Sequence, residues 1–160
     1  MKTNMETRKG RILGIRIETR EDCDADLYWL GRYSNQPGAE DRTIDRGEGR
    51  ERGTMRYFVA EQSAKDTGNP NSVQQDYERM EAYNRGNWCM VGVIAKADVV
   101  LPGSNIVQKV TSGGLWGIVS DSGAEYLAEV RKEQLSELSG ELTRLGFGKR
   151  AIAQVIVNVS

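Results

Sequence analysis

The sequence predicts an α+β domain, a mainly antiparallel sheet of about five or six strands packed against two or three helices. Three observations carry that reading. Residues 88–101 form the longest apolar run, and Cys89, Val91, Val93, Ala95, Ala97 and Val99 alternate onto one face, as the central strand of a sheet requires. Two segments, 72–86 and 122–146, repeat apolar residues at helical spacing between start and stop signals. The remaining apolar segments are short, β-branched or aromatic, and separated by turn residues, the pattern of antiparallel hairpins.

Taken in order, Arg11 to Glu18 alternates, with Ile15 and Ile17 on one face, and reads as the first strand. The acidic turn EDCDAD separates it from Leu27 to Ser34, its expected pairing partner. Asn35 to Thr54 loses hydrophobic periodicity and includes GAEDRTIDRGEGRERG, so a mobile charged loop is expected over 35–54. A strand at Arg56 to Ala60 follows, closed by a loop carrying Asp66, Gly68, Asn69 and Pro70. Ser72 with Gln75 forms a capping signature for the first helix, which presents Val73, Tyr77 and Met80 and stops at Gly86.

After the central strand, Pro102 to Ser104 and Ser112 to Gly114 read as hairpin turns, making Asn105 to Thr111 and Leu115 to Val119 successive members of a meander. Ser122 with Glu125 marks the second long helix, whose core-facing residues are Leu127, Val130, Leu135, Leu138, Leu142 and Leu145, with Gly146 as its stop. The tail AIAQVIVNV fits a helical stripe through Ile152, Val155, Ile156 and Val159 better than a strand. At 160 residues one domain, 1–160, is expected, large enough to bury one core.

The composition excludes several classes of chemistry. With no histidine, Ser-His-Asp and Cys-His sites and histidine-ligated metals cannot be built. Two cysteines, Cys23 and Cys89, are too few for a zinc site without histidine and too far apart for a CxxC pair. No catalytic residue, metal ligand or cofactor is therefore nominated, and an enzyme is not expected. The net charge of −1, from 22 basic and 23 acidic residues, lacks the positive surplus of a phosphate-binding protein, so nucleic acid is a disfavoured partner. No leader peptide and no long apolar run are recognisable, which makes a cytoplasmic chain with reduced thiols and no membrane contact the expectation.

Binding residues are nominated on chemical type. Arginine forks take carboxylates and phosphates in bidentate geometry, which singles out Arg42, Arg46, Arg50 and Arg52 in the charged segment, with Tyr33 on the neighbouring strand, as a partner-binding set. The interleaved Glu40, Asp41, Asp45, Glu48 and Glu51 favour a solvated or protein-contacting loop over a nucleic-acid grip. Trp29, Trp88 and Trp116 are expected in the core. The SGGLWGIVSDSG segment lacks the spacing of a phosphate loop and reads as turn, strand and helix start.

The strings LYWLGRYS, TIDR, RYFV, QQDYERMEAYNRGNW, GGLWGIVSDSGAEYLAEV and ELTRLGF resemble a widespread group of small bacteriophage and mobile-element proteins, over Leu27 to Phe147. The resemblance implies a genetic setting and an interaction protein, and assigns no site residue. The leading expectation is an accessory protein that binds and modulates or inhibits a bacterial host protein, a restriction or CRISPR component being one such target. Two alternatives differ in class: a nucleic-acid binder using the N-terminal and loop arginines, and a histidine-free, nucleotide-directed enzyme using Asp66, Asp76 and Asp121.

Overall fold

A computed structural model describes residues 9–47, 54–157 and 159. In chain order the elements are β1 (Arg11–Glu21), β2 (Gly31–Ser34), a 3-10 turn (Glu40–Arg42), β3 (Thr43–Asp45), β4 (Tyr57–Ala60), α1 (Ala64–Thr67), α2 (Ser72–Asn84), β5 (Met90–Val100), β6 (Val107–Thr111), β7 (Leu115–Val119), α3 (Ala124–Arg144) and α4 (Lys149–Ile156). The α+β class holds, with every strand pairing antiparallel. Where the sequence reads as one domain with one sheet, the chain forms two compact units, each with its own sheet. The first comprises Met1–Cys23 with Met90–Ser160, and the second comprises Asp24–Cys89. No helix among the described residues is long and apolar enough to cross a membrane.

In the first unit β5 is the central strand. β1 runs along one side of it, from Arg11 opposite Val100 to Glu21 opposite Val91. The other side is shared: β6 pairs the Lys96–Val100 half and β7 the Met90–Val93 half. The expected meander is thus replaced by two short strands placed end to end, because Ser112 to Gly114 is a jog and not a hairpin turn. Ser112 stays paired to β5, giving its N–H to the Ala95 carbonyl and accepting the Ala95 N–H on Oγ at 3.0 Å. Its hydroxyl then donates to Gln134 Oε1, which also accepts from Gly114 N–H, while Glu137 accepts from Gly113 N–H. Three polar contacts from α3 therefore hold the crossing where ladder bonds are interrupted. This explains why Gln134, a polar residue absent from the expected core set, is buried.

The core of this unit collects Ile15, Ala95, Ala97 and Val99 from the sheet with Leu138, Leu142, Phe147 and Ile152 from the helical layer. The small side chains of β5 let the leucines of α3 approach closely, the large-against-small matching of a close-packed interior. Leu145, expected inside, is exposed, since the helix ends there: Gly146 adopts φ +91° and the Phe147 N–H returns to the Leu142 carbonyl. The tail is helical as α4, burying Ile152.

Two helix starts differ from expectation. α3 is capped by Gly123, because Ser122 lies in the preceding turn with its N–H on the Val119 carbonyl. Asn71 precedes α2, and the Ser72 hydroxyl instead accepts from Thr67 Oγ1 at 2.9 Å. The capping box of this region is Ser63 with Asp66, which opens α1 where a loop was expected.

The outer face of β1 and β5 carries a charge ladder. Glu18 receives Lys96, Arg16 and Arg20, and Arg16 continues to Asp98 at 2.8 Å. Hydrogen bonds from Lys96 and Arg16 hold the Glu18 carboxyl at about 2, below its ordinary 4.5. Because the folded value is the lower one, the stabilisation is complete above the unfolded value and fades as pH falls through that window toward about 2. In thermal melts across that pH range, wild type is expected to lose midpoint faster than Glu18→Gln, and parallel curves would refute the assignment.

Candidate functional site

The second unit holds every partner-binding residue nominated from sequence that lies among the described residues. β4 is the centre of its three-stranded sheet, between β2 and β3. β2 does not pair with β1 as expected. Leu27 to Leu30 forms a turn, with the Leu30 N–H on the Leu27 carbonyl, which leaves only Gly31–Ser34 extended and opposite β4. The charged segment is also less of a loop than its composition implies, since Glu40–Arg42 forms a 3-10 turn and Thr43–Asp45 pairs with β4. Strand pairing to an apolar neighbour orders a segment whose own pattern carries no periodicity.

Tyr33 and Ile44 lie opposite Phe58 from either side, and Tyr77 of α2 packs on Phe58 with ring centroids 5.5 Å apart. Arg46 is built into this layer. Its guanidinium lies 4.3 Å from the Tyr33 ring centroid, donates to Glu81 Oε1 at 2.9 Å and to the Met55 carbonyl, and its side chain is only 8% exposed. The Tyr33 hydroxyl donates to the same Glu81 oxygen at 2.7 Å and accepts from Asn84 Nδ2. Burial first, and the Glu81 hydrogen bond second, push the Tyr33 phenol well above its ordinary value, so it remains a neutral donor. The structure therefore brings Tyr33 and Arg46 together as an internal clamp tying β2 and the segment after β3 to α2. Arg50 and Arg52 lie outside the described residues.

Arg42 belongs to a different part of the unit. It donates to the Glu61 carbonyl at 3.0 Å, and the Glu61 N–H donates to the Leu30 carbonyl, so the arginine neighbours the turn that carries Tyr28 and Trp29. That turn was not nominated from sequence. Trp29, expected in the core, is 49% exposed and Tyr28 67% exposed. The backbone N–H of Tyr28 is fixed on Asp26 Oδ1, and the Trp29 ring packs on the buried Trp88 at a centroid distance of 6.4 Å. Trp88 is fixed in turn by Tyr83, by the Arg79 guanidinium 4.0 Å above its ring, and by its own N–H on the Arg79 carbonyl. The sequence signal that could have found this surface is the adjacency of two aromatics directly after an acidic turn, DADLYW, where exposure is imposed on the first residues past the turn.

Asp66 serves the α1 cap, where the Ser63 N–H and hydroxyl lower its carboxyl. Asp76 is raised by burial on α2, and Asp121 belongs to the other unit, so the three acids nominated for a nucleotide-directed site are not assembled within one unit. Among the described residues no three Cys, Asp or Glu side chains are grouped to hold a metal. Neither Cys23 nor Cys89 is in a disulfide among the described residues. Comparison with known proteins gives no relative to argue from: no family model, no curated protein and no solved structure matches the chain.

Proposed function

We propose that the protein is a phage or mobile-element accessory protein that binds a bacterial host protein and modulates or inhibits it, a restriction or CRISPR component being one such target. The genetic setting rests on the sequence resemblance. The binding reading rests on one observation: Tyr28 and Trp29 are exposed side by side on a turn braced by Trp88, with Arg42 beside it. Trp, Tyr and Arg are the residue types that dominate protein-interface energetics, and a braced aromatic loses little rotamer freedom on binding.

A nucleic-acid platform would use the same rings, but Asp24, Asp26 and Glu61 are exposed around them and repel phosphate. The contact surface expected of the arginine segment is accordingly narrowed to Arg42 and the aromatic turn, with Arg46 and Tyr33 supporting it from within.

Affinity capture from bacterial lysate, with and without nuclease, is the test. A protein is expected to be retained in both arms, and Tyr28→Ala with Trp29→Ala is expected to weaken its binding by about 2 kcal/mol or more, roughly thirtyfold. Capture that disappears with nuclease, or a double variant that binds unchanged, defeats the reading.

A further inference from the structure

The first unit presents a second and different kind of surface along β1. One edge of β1 is bonded to β5, and among the described residues the other pairs with no strand. The phase of the ladder shows which backbone groups face that open edge. The Asp22 N–H donates to the Met90 carbonyl at 2.8 Å, immediately beyond the Glu21 and Val91 pair, so Asp22 belongs to a hydrogen-bonded pair. Such pairs alternate in an antiparallel ladder, which turns Arg20, Glu18 and Arg16 toward β5 and turns Thr19, Ile17 and Ile15 away from it. Ala95, opposite Ile17, gives the same phase, because it uses both its N–H and its carbonyl on Ser112, on the far side of β5. Among the described residues no hydrogen bond takes the outward groups of Ile15, Ile17 and Thr19.

Of these three residues, Ile17 borders an apolar groove of about 620 Å³, lined also by Leu135, Ile156 and Val159 with Arg131 and Lys132 of α3. Arg131 also borders the adjoining depression along Ile15, Ile17 and Thr19, which carries positive charge to the strand edge. Both cations are exposed and neither has an ion-pair partner among the described residues, unlike Arg16, Arg20 and Lys96 on the opposite face, which share Glu18. Open edges in native sheets are ordinarily shortened, covered or bulged. β1 has a register shift at Leu13, between Ile12 and Gly14, but none from Ile15 to Glu21.

We infer that the β1 edge from Ile15 to Thr19 and the adjoining groove accept an extended segment of a partner protein as an added strand, with apolar residues at two alternate positions and an acidic residue at the next. A strand bonded to Ile15, Ile17 and Thr19 places the side chains opposite them on the same face, the groove face. Backbone bonds then supply affinity, the groove selects the apolar pair, and Arg131 with Lys132 selects the carboxylate. This surface is separate from the aromatic turn of the second unit and does not depend on it.

The probe is a fluorescein-labelled peptide, Thr-Val-Thr-Ile-Thr-Asp-Thr, titrated into the full chain by anisotropy, with an Asn-for-Asp peptide as comparison. Three results are expected. The Asp peptide binds at least about tenfold more tightly than the Asn peptide, and the exposed charge reversals Arg131→Glu with Lys132→Glu remove that preference. Thr19→Pro, which deletes an outward N–H and leaves the bonds to β5 in place, abolishes binding while the circular dichroism spectrum is kept. Amide exchange of Ile15, Ile17 and Thr19 slows when peptide is present. No binding at about 1 mM peptide overturns the inference, as does binding that both sets of variants leave unchanged. Decanoate displacing the peptide while binding equally to Thr19→Pro would identify an amphiphile groove, and would overturn it too.

Discussion

Gly31→Ala is expected to destabilise the second unit by about 3–5 kcal/mol, combining backbone strain and overpacking of about 1–3 kcal/mol each with a neighbour that cannot yield. Gly31 opens β2 at φ +143°, a conformation L side chains rarely adopt, and it is buried opposite Ala60. A Cβ there would lie 2.3 Å from the Val59 carbonyl oxygen and 2.8 Å from the Ala60 Cα. Both are backbone atoms of the central strand, so no rotamer change relieves the clash. Gly47→Ala is the matched control, because its φ of +93° carries strain while none of the described residues lies within 4 Å of its Cβ. The control is expected to lose only about 1–2 kcal/mol. Urea unfolding followed by hydrogen exchange of the β4 amides measures the difference, and equal losses in the two variants would show that close approach plays no part.

Much of the fold is legible in local sequence and much of the pairing is not. The apolar run through β5, the stops at Gly86 and Gly146 and the helical tail each depend on a few neighbouring residues, and each is found where the pattern puts it. Pairing depends on residues far away. The alternation of β1 specifies which of its faces is buried, but it is silent on whether the partner is the next segment or β5, whose register begins 70 residues after that of β1 ends, at Glu21 and Val91. The same blindness affects the site. A stretch as charged as GAEDRTIDRG reads as solvated, because nothing within it reveals that Glu81 waits on α2 to receive Arg46. Trp29 fails in the opposite direction, since a large aromatic beside a strand is buried by default, and only the turn at Leu27 to Leu30 lifts it outward. The Ser112 to Gly114 jog needs Gln134 and Glu137, partners 20 and more residues downstream that hairpin chemistry does not anticipate.

Arg46→Ala is expected to cost about 2–4 kcal/mol of stability, the lower part of the range for breaking a buried ion pair because Glu81 keeps some contact with water. Truncation removes the donor to Glu81, the donor to the Met55 carbonyl and the cation on the Tyr33 ring together. What remains is a carboxylate, 23% exposed, whose other hydrogen-bond partner is the Tyr33 hydroxyl. A phenol held neutral can satisfy one lone pair of Glu81 but cannot balance its charge. Arg46→Lys keeps the charge and loses the planar fork, so an intermediate loss is expected. The double-mutant cycle with Glu81→Gln isolates the pair and is expected to give a coupling of about 1–3 kcal/mol. The cycle also separates the two roles an arginine in this segment can have. A clamp lowers stability in chemical denaturation and weakens partner binding only as the aromatic turn loses its support, whereas a contact residue weakens binding at unchanged stability. Unchanged stability in Arg46→Ala would return Arg46 to the contact surface. The geometry favours the clamp, because a guanidinium only 8% exposed, with its two terminal nitrogens already hydrogen-bonded inside the unit, has little left to offer a partner.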